Sequence, residues 1–301
     1  MPGKIIVGLD GSPESRAAAE WAAREAALRD MAVELVHVWQ PVPEPTAQAP
    51  LLGAETHQHW TERVPREAAE GLRLRHPGIE VTTEQRTGVP ADALADAARD
   101  AELLVLGSRA LSGLAGFLVG SVGQSLVART EVPVILVRAG AQAADEHVKD
   151  LAGVPSAATA FRPVVLGLDT DNSDEEVIAF AFEEARRRGT GLTVVRGWEL
   201  SASYVHSLAA GVDVREDAAR VQAAVLAEAL LPWREKYSDV EVSEVSRLGS
   251  PANHLIDASH DASLVVVGRR VRRSPFGVHI GSVTHAVMHH ATAPVAVVAH
   301  R

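Results

Sequence analysis

LGSRALSGLAGFLVGSVGQSL (106–126) returns as VGRRVRRSPFGVHIGSVTHAV (267–287). Gly107 and Gly268 each close an apolar run, DAELLVLG (100–107) and DASLVVVG (261–268), and each stands the same distance before a Gly-Ser-Val. A buried strand that runs into a glycine-containing loop and then a helix start places backbone N–H groups where they can hold phosphate. One stretch thus carries the fold signal and the functional lead, and it does so twice.

The repeat extends well beyond this loop. GLDGSPESRAAAEWAAREAALRDMAVELVHVW (8–39) aligns without a gap on GLDTDNSDEEVIAFAFEEARRRGTGLTVVRGW (167–198), pairing Asp10 with Asp169 and Trp39 with Trp198. RTGVPADALADAARDAELLVLG (86–107) matches RLGSPANHLIDASHDASLVVVG (247–268). So long a period lies outside the roughly 20–50 residues of solenoids and propellers, which implies two complete domains. A chain of 301 residues with 47% apolar content is long enough for two cores. We expect a first domain over 1–140, a linker over 141–160 and a second domain over 161–301. The linker sits in AGAQAADEHVKDLAGVPSAATAFRP (139–163), which mixes Ala, Gly, Pro and charge without a sustained apolar face.

Composition removes several function classes. The chain has no cysteine, so disulfides, thiolate nucleophiles and thiolate metal sites are excluded. A net charge of −10 argues against general binding to nucleic acid or anionic lipid, because phosphate repels such a surface. No stretch approaches the ~20 apolar residues of a membrane span, and the start, MPGKIIVGLD, reaches an acid after a short apolar run. A cytoplasmic protein with no membrane partner is the expectation.

Periodicity orders the elements of each half. KIIVGLD (4–10) reads as a buried strand, and SPESRAAAEWAAREAALRD (12–30) as a helix with Ser12 as N-cap and Pro13 at the first helical position. VELVHVWQ (33–40) is a strand, followed by a proline-rich stretch, a helix including 61–74 and a strand in 79–88. A helix over 91–100, the strand AELLVLG, a helix starting within 119–130 and the strand VPVILVR (132–138) complete the half. The second half repeats the order with RPVVLGLD, a helix near 174–188, LTVVRGW, VEVSEVSRLG, ANHLIDASHD, ASLVVVG and APVAVVA. Alternating helices and nearly all-apolar strands imply the α/β class: two doubly wound domains, each a mostly parallel five-stranded sheet with helices on both faces. Ligands of such sheets sit beyond the carboxyl ends of the strands, at the switch point. Those ends carry Asp10, Val38 and Gly107 in one copy and Asp169, Gly197 and Gly268 in the other.

An Asp after the first strand, a glycine after the fourth and a Gly-Ser before the last helix resemble the universal stress protein family, here over both halves as a tandem member. In its nucleotide-binding members the loop reads GxxGxxxxxxxxxG followed by Ser or Thr. Gly107, Ala110, Gly120 and Ser121 occupy those places in the first copy, and Gly268, Val271, Gly281 and Ser282 in the second, so both copies depart at the middle glycine. If the backbone there needs positive φ, Ala110 costs about 1 kcal/mol and β-branched Val271 more.

The resemblance implies an adenine nucleotide as ligand, ATP with magnesium as a candidate companion. Asp10 and Asp169, with Leu9 beside the former, would accept hydrogen bonds from the ribose or the base edge, or help hold a phosphate-bound cation. Val38 would offer backbone groups and apolar surface to the adenine. Gly107, next to Leu106, and Gly268 would let phosphates approach; Gly120, Ser121 and Val122, and in the second copy Gly281, Ser282 and Val283, would bind phosphate oxygens at a helix start. Arg109 and Arg270 would reach the same anion. The first copy is the better candidate for ATP on these grounds.

Local chemistry offers plainer roles for the same residues. An Asp after a strand is often a turn former, and Gly-Ser is an ordinary helix entry. Arg269, Arg270, Arg272 and Arg273 form a patch that could grip phosphate, yet a charge run is more often a solvated loop, which we favour. His57 and His59, and His285, His289 and His290, lack the further ligands of a metal site, so solvated or packed histidines and no metal site are expected. No GxSxG or GK[ST] motif, dedicated general base or other catalytic residue stands out. Three functions stay open: a regulatory stress-response protein switched by ATP occupancy, an interaction module that has lost nucleotide, and a slow ATPase or self-phosphorylating protein. The last strands resemble this family's pairing edges, which implies an internal pseudo-dimer of the two halves, with a homodimer of chains as an open second level.

Overall fold

The structure, a computed structural model, describes residues 3–39, 54–110, 117–172, 175–199, 213–271 and 280–301. The chain divides into two compact units, Met1–Gln142 and Ala143–Arg301.

The first unit begins with β1 (Lys4–Leu9), α1 (Pro13–Arg29) and β2 (Ala32–Trp39). It continues through α2 (Ala54–Arg75), β3 (Val81–Thr87), α3 (Pro90–Ala97) and β4 (Leu103–Ala110). A two-residue strand β5 (Phe117–Leu118), α4 (Ser121–Arg129) and β6 (Val134–Arg138) complete it. Its strands lie side by side in the order β3-β2-β1-β4-β6, all parallel, with β5 antiparallel to the end of β4. Ile5, Ile6, Val7, Leu35, Leu103, Leu104 and Val105 are fully buried, as parallel strands covered on both faces must be. β3 reads VTTEQRT, with most of its side chains at least partly exposed, and its Glu84 and Arg86 blunt an outer edge that could otherwise pair with another chain.

α1 starts where side-chain chemistry starts it. Ser12 is the N-cap and its Oγ accepts from Ser15 N at 3.1 Å; Pro13 follows at the first turn, where no donor is lost. The helix ends on Asp30 in the left-handed region at φ 54. Its sheet-facing side is mostly alanine around a buried Trp21, so the helix backbone lies close on the strands. The closest approach is at Gly107, where a Cβ would sit 2.4 Å from the carbonyl carbon of Glu14.

The second unit repeats the order: β7 (Val164–Gly167), α5 (Glu175–Arg188), β8 (Leu192–Trp198), α6 (Asp213–Lys236), β9 (Val242–Leu248), α7 (Pro251–Ala258), β10 (Leu264–Arg270), α8 (Ser282–His290) and β11 (Val295–His300). Its parallel strands run β9-β8-β7-β10-β11. Three features differ from the sequence expectation. β4 runs three residues past Gly107, because Arg109 and Ala110 pair with Leu118 and Phe117. α6 falls in a stretch to which the sequence pattern assigned nothing. Residues 143–160, expected as linker, belong to the second unit: His147 is buried, its ring lies 4.0 Å from that of Phe161, and Arg162 Nη1 donates to His260 O at 2.8 Å.

Candidate nucleotide site

In both orders the chain leaves its first strand for one side of the sheet and later crosses to the other, so a crevice opens between the ends of β1 and β4, and of β7 and β10. Val7 pairs with Val105, and Asp10 and Gly107 follow just beyond that pairing. In the second unit Leu166 pairs with Val266, and Asp169 and Gly268 follow.

A cavity of about 610 Å³ occupies this place in the second unit, within the ~300–1,000 Å³ usual for small-molecule sites. Of the sequence candidates, Asp169, Gly268, Arg270, Gly281 and Val283 line it, and Ser282 is exposed beside it. Val195, Trp198, Pro251 and Leu255 supply apolar wall, while Arg196, Gln222, Thr284 and His300 supply polar groups that the sequence did not single out.

One end of the cavity is built from the helix start. Gly281 is the N-cap of α8, at φ −57 and ψ 149, and makes no side-chain cap; a Cβ there would meet nothing within 4 Å among the described residues. The serine sits one position inside the helix, where it does not cap. The first N–H groups of α8 therefore lack the side-chain acceptor that Ser12 gives α1, which is the arrangement an anion completes. Thr284 Oγ1 donates to Gly268 O at 2.7 Å and ties this helix start to β10. Gly120 begins α4 in the same way, at φ −60 and ψ 163, again uncapped by a side chain and open at its Cβ; Ser121 and Val122 follow it into the helix.

The glycines at the ends of β4 and β10 have a packing role besides the one expected. A Cβ on Gly107 would collide with the backbone of Glu14, and one on Gly268 would lie 2.9 Å from His300 Nε2 and 3.3 Å from Val177 Cγ2. At both positions the place of a Cβ is taken up by protein, so packing alone accounts for the glycine at Gly107, while Gly268 also lines the cavity. The middle position needs no glycine either. Ala110 lies in a strand, Val271 N donates to His300 O at 2.6 Å, and among the described residues Asp30 alone combines a side chain with positive φ. The conditional cost assigned to Ala110 and Val271 therefore does not arise.

Asp10 is committed locally. Its Oδ1 accepts from Ser12 N at 3.0 Å and from Ser12 Oγ at 2.5 Å, which orders the turn into α1. Asp169 Oδ1 accepts from Asp171 N at 3.1 Å in the matching turn. Both carboxylates are exposed at the mouth of their crevices. Val38 is half-buried at the end of β2, following Leu9's register partner His37. Leu9 and Leu106 are buried in the floor. Arg109 pairs with Leu118 through its backbone.

The arginine patch does not form one solvated loop. Arg269 and Arg270 are in β10, the first buried and the second on the cavity, while Arg272 and Arg273 lie outside the described residues. Among the described residues no group of three or more His, Asp or Glu could hold a metal ion. The side chains of His57 and His59 lie outside the described residues; the rings of His285 and His289 are 4.4 Å apart, and burial, then the charges of His289 and His290, lower the pKa of His285.

Two residues that sequence reasoning passed over stand at the same place in the two copies. His37 in β2 is buried, its Nδ1 has no hydrogen-bond partner among the described residues, and burial holds its pKa below the ordinary value against the opposing charge of Asp10. Arg196 in β8 takes that place in the second unit, 8% exposed and lining the cavity. The ungapped alignment of 8–39 on 167–198 sets one against the other, a polar residue inside an apolar strand in both copies, and that was the available signal.

Comparison with known proteins agrees with the repeat. The model of the universal stress protein family matches residues 1–138 and again 160–299. A universal stress protein of Mycolicibacterium smegmatis is 35% identical over 300 residues, covering 98% of this chain and 96% of the relative. Universal stress protein Rv2005c of Mycobacterium tuberculosis is 36% identical over 307 residues, covering 97% and 96%. The crystal structure of a universal stress protein from Archaeoglobus fulgidus shares the fold with a TM-score of 0.68 at 18% identity, covering 98% of each chain. No helix among the described residues is long and apolar enough to cross a membrane. With the family matched once in each half and the relatives matched end to end, the chain belongs to the universal stress protein family as a tandem member carrying two of its α/β domains.

Proposed function

We propose that this is a nucleotide-binding regulatory protein of the stress response, acting in the cytoplasm, in which occupancy of the crevices by a purine nucleotide, ATP with magnesium on its phosphates in the first domain, alters the loops around them and what binds there. The observation that carries this reading is the second-unit cavity, where apolar strand ends able to seat a base face a helix start with no side-chain cap. Gly120, Ser121 and Val122 give the first unit the same helix start. Occupancy rather than rapid turnover is the reading we favour, because Asp10, the acid nearest the first crevice, is engaged in a turn, and His37, the titratable group that feels its charge, is buried in β2.

The test is identification of co-purified small molecules by mass spectrometry, with calorimetric titration of the full chain by ATP and magnesium. A purine nucleotide in the purified protein, or saturable heat on titration, is the expected result. Absence of both at millimolar ATP overturns it in favour of an interaction module, and magnesium-dependent phosphate release lost in Asp10→Ala would make the protein a slow ATPase.

A further inference from the structure

Arg196 is a guanidinium held at the end of the second cavity that the phosphates do not use. If phosphates complete the uncapped start of α8, with Arg270 beside them, the base lies toward the end of β8, against Val195, Trp198 and Arg196. Arg196 Nη1 donates to Gln222 O at 3.4 Å and to Gln222 Oε1, both from α6, and Nη2 lies 3.7 Å from Asp171 Oδ1, beyond a direct hydrogen bond. Gln222 thus holds Nη1, while Nη2 and Nε of this cavity-lining side chain have no hydrogen bond among the described residues and form the remaining pair of donors of the fork. The Arg196 side chain is 9% exposed, so these donors are largely shielded from water and a ligand that leaves them unmatched loses affinity.

The two purines differ in what they offer such a fork. Guanine presents two acceptors, O6 and N7, on one edge, and two donors, N1–H and the N2 amine, on the next; adenine places its N6 amine, a donor, where guanine has O6. An arginine set against N6 turns donor toward donor, whereas against O6 and N7 it makes the bidentate pair that Arg favours. The Asp171 carboxylate near Arg196 is the acceptor that the N1–H and N2 amine require. His37, at the matching place in the first unit, has a ring nitrogen that can donate or accept according to its tautomer and so tolerates adenine.

We propose that the cavity of the second domain selects a guanine nucleotide over an adenine nucleotide, with Arg196 reading the O6/N7 edge, so that the two halves of the chain sense different purines. This rests on the nucleotide reading above. It is tested on the full chain by calorimetry with GTP and with ATP, the second site being identified by its loss in Gly281→Asp. GTP is expected to bind that site about tenfold or more tighter than ATP. Arg196→His, which installs the first unit's residue, should abolish the preference, and Arg196→Lys, which keeps the charge without the fork, should weaken it; thermal melts establish that each variant is folded. Equal affinity for the two nucleotides at that site, or a preference that survives Arg196→His in a folded protein, overturns the proposal while the nucleotide reading stands. Absence of binding by either nucleotide overturns both.

Discussion

At the scale of single residues, the glycines of the two loops separate by what surrounds them. Gly107 faces backbone at 2.4 Å, which cannot move aside as a flexible side chain can, whereas a Cβ on Gly120 would meet nothing within 4 Å among the described residues. Gly107→Ala should therefore cost about 1–3 kcal/mol through overpacking, and Gly120→Ala less, since it changes only the N-cap; chemical denaturation of the two variants measures the order, and equal losses would refute it. His37 gives a pH dependence of known sign. Its folded pKa is lowered below 6.5, chiefly by burial, so between the two values the unfolded chain holds a proton that the folded chain does not. Its contribution is fully present above about pH 6.5 and is lost as pH falls from there toward the folded pKa. His37→Asn should flatten that part of the stability curve, and an NMR titration should place the His37 midpoint below 6.5; a midpoint above it would contradict the burial.

At the scale of elements, the start of α8 is the part whose chemistry and stability pull apart. Gly281 gives the first N–H groups no side-chain cap. Gly281→Asp should supply that cap and stabilise the ligand-free protein by a few tenths of a kcal/mol, while its charge repels phosphate from the same donors. A thermal scan would show a small rise without nucleotide and loss of the second-site shift with it; an unchanged shift would mean that phosphate does not sit there. Elements were legible where periodicity and capping agree, as in α1 with Ser12 and Pro13 and in the apolar runs 5–7 of β1 and 103–106 of β4. The extension of β4 to Ala110 was not, because it depends on pairing with Phe117 and Leu118, a contact that neither segment's pattern reveals. The Gly-Ser-Val helix starts were legible from the spacing of the repeat, but their lack of a side-chain cap was not, since Gly-Ser also reads as an ordinary helix entry. The close approach of Glu14 to Gly107 was not, since it joins residues far apart in the chain, and Gln222 comes from a helix that no motif marks.

At the scale of the molecule, each unit has its own parallel strands, helices and core, and within that unit its last strand pairs on one side, β6 on β4 and β11 on β10. VPVILVR and APVAVVA are apolar but for Arg138, unlike the polar outer strand β3, so a half expressed alone should self-associate through that edge; a monomer by sedimentation at micromolar concentration would show the edge to be tolerated. Where the second half begins also matters. A fragment 161–301 keeps the whole family match short of one residue, yet it lacks the segment that stacks His147 on Phe161, pairs Val148 N with Ala160 O at 2.9 Å and Arg162 N with Glu146 O at 2.9 Å, and gives Arg162 Nε the carbonyl of His147. An aromatic pair contributes about 1 kcal/mol and each net hydrogen bond about as much, less the cost of ordering the segment. The fragment 143–301 should thus exceed 161–301 in unfolding free energy by about 2 kcal/mol at equal concentration. Equal stability would reduce residues 143–160 to the passive tether that their composition suggests; the expected difference would make them part of the second domain, laid across it before its first strand begins.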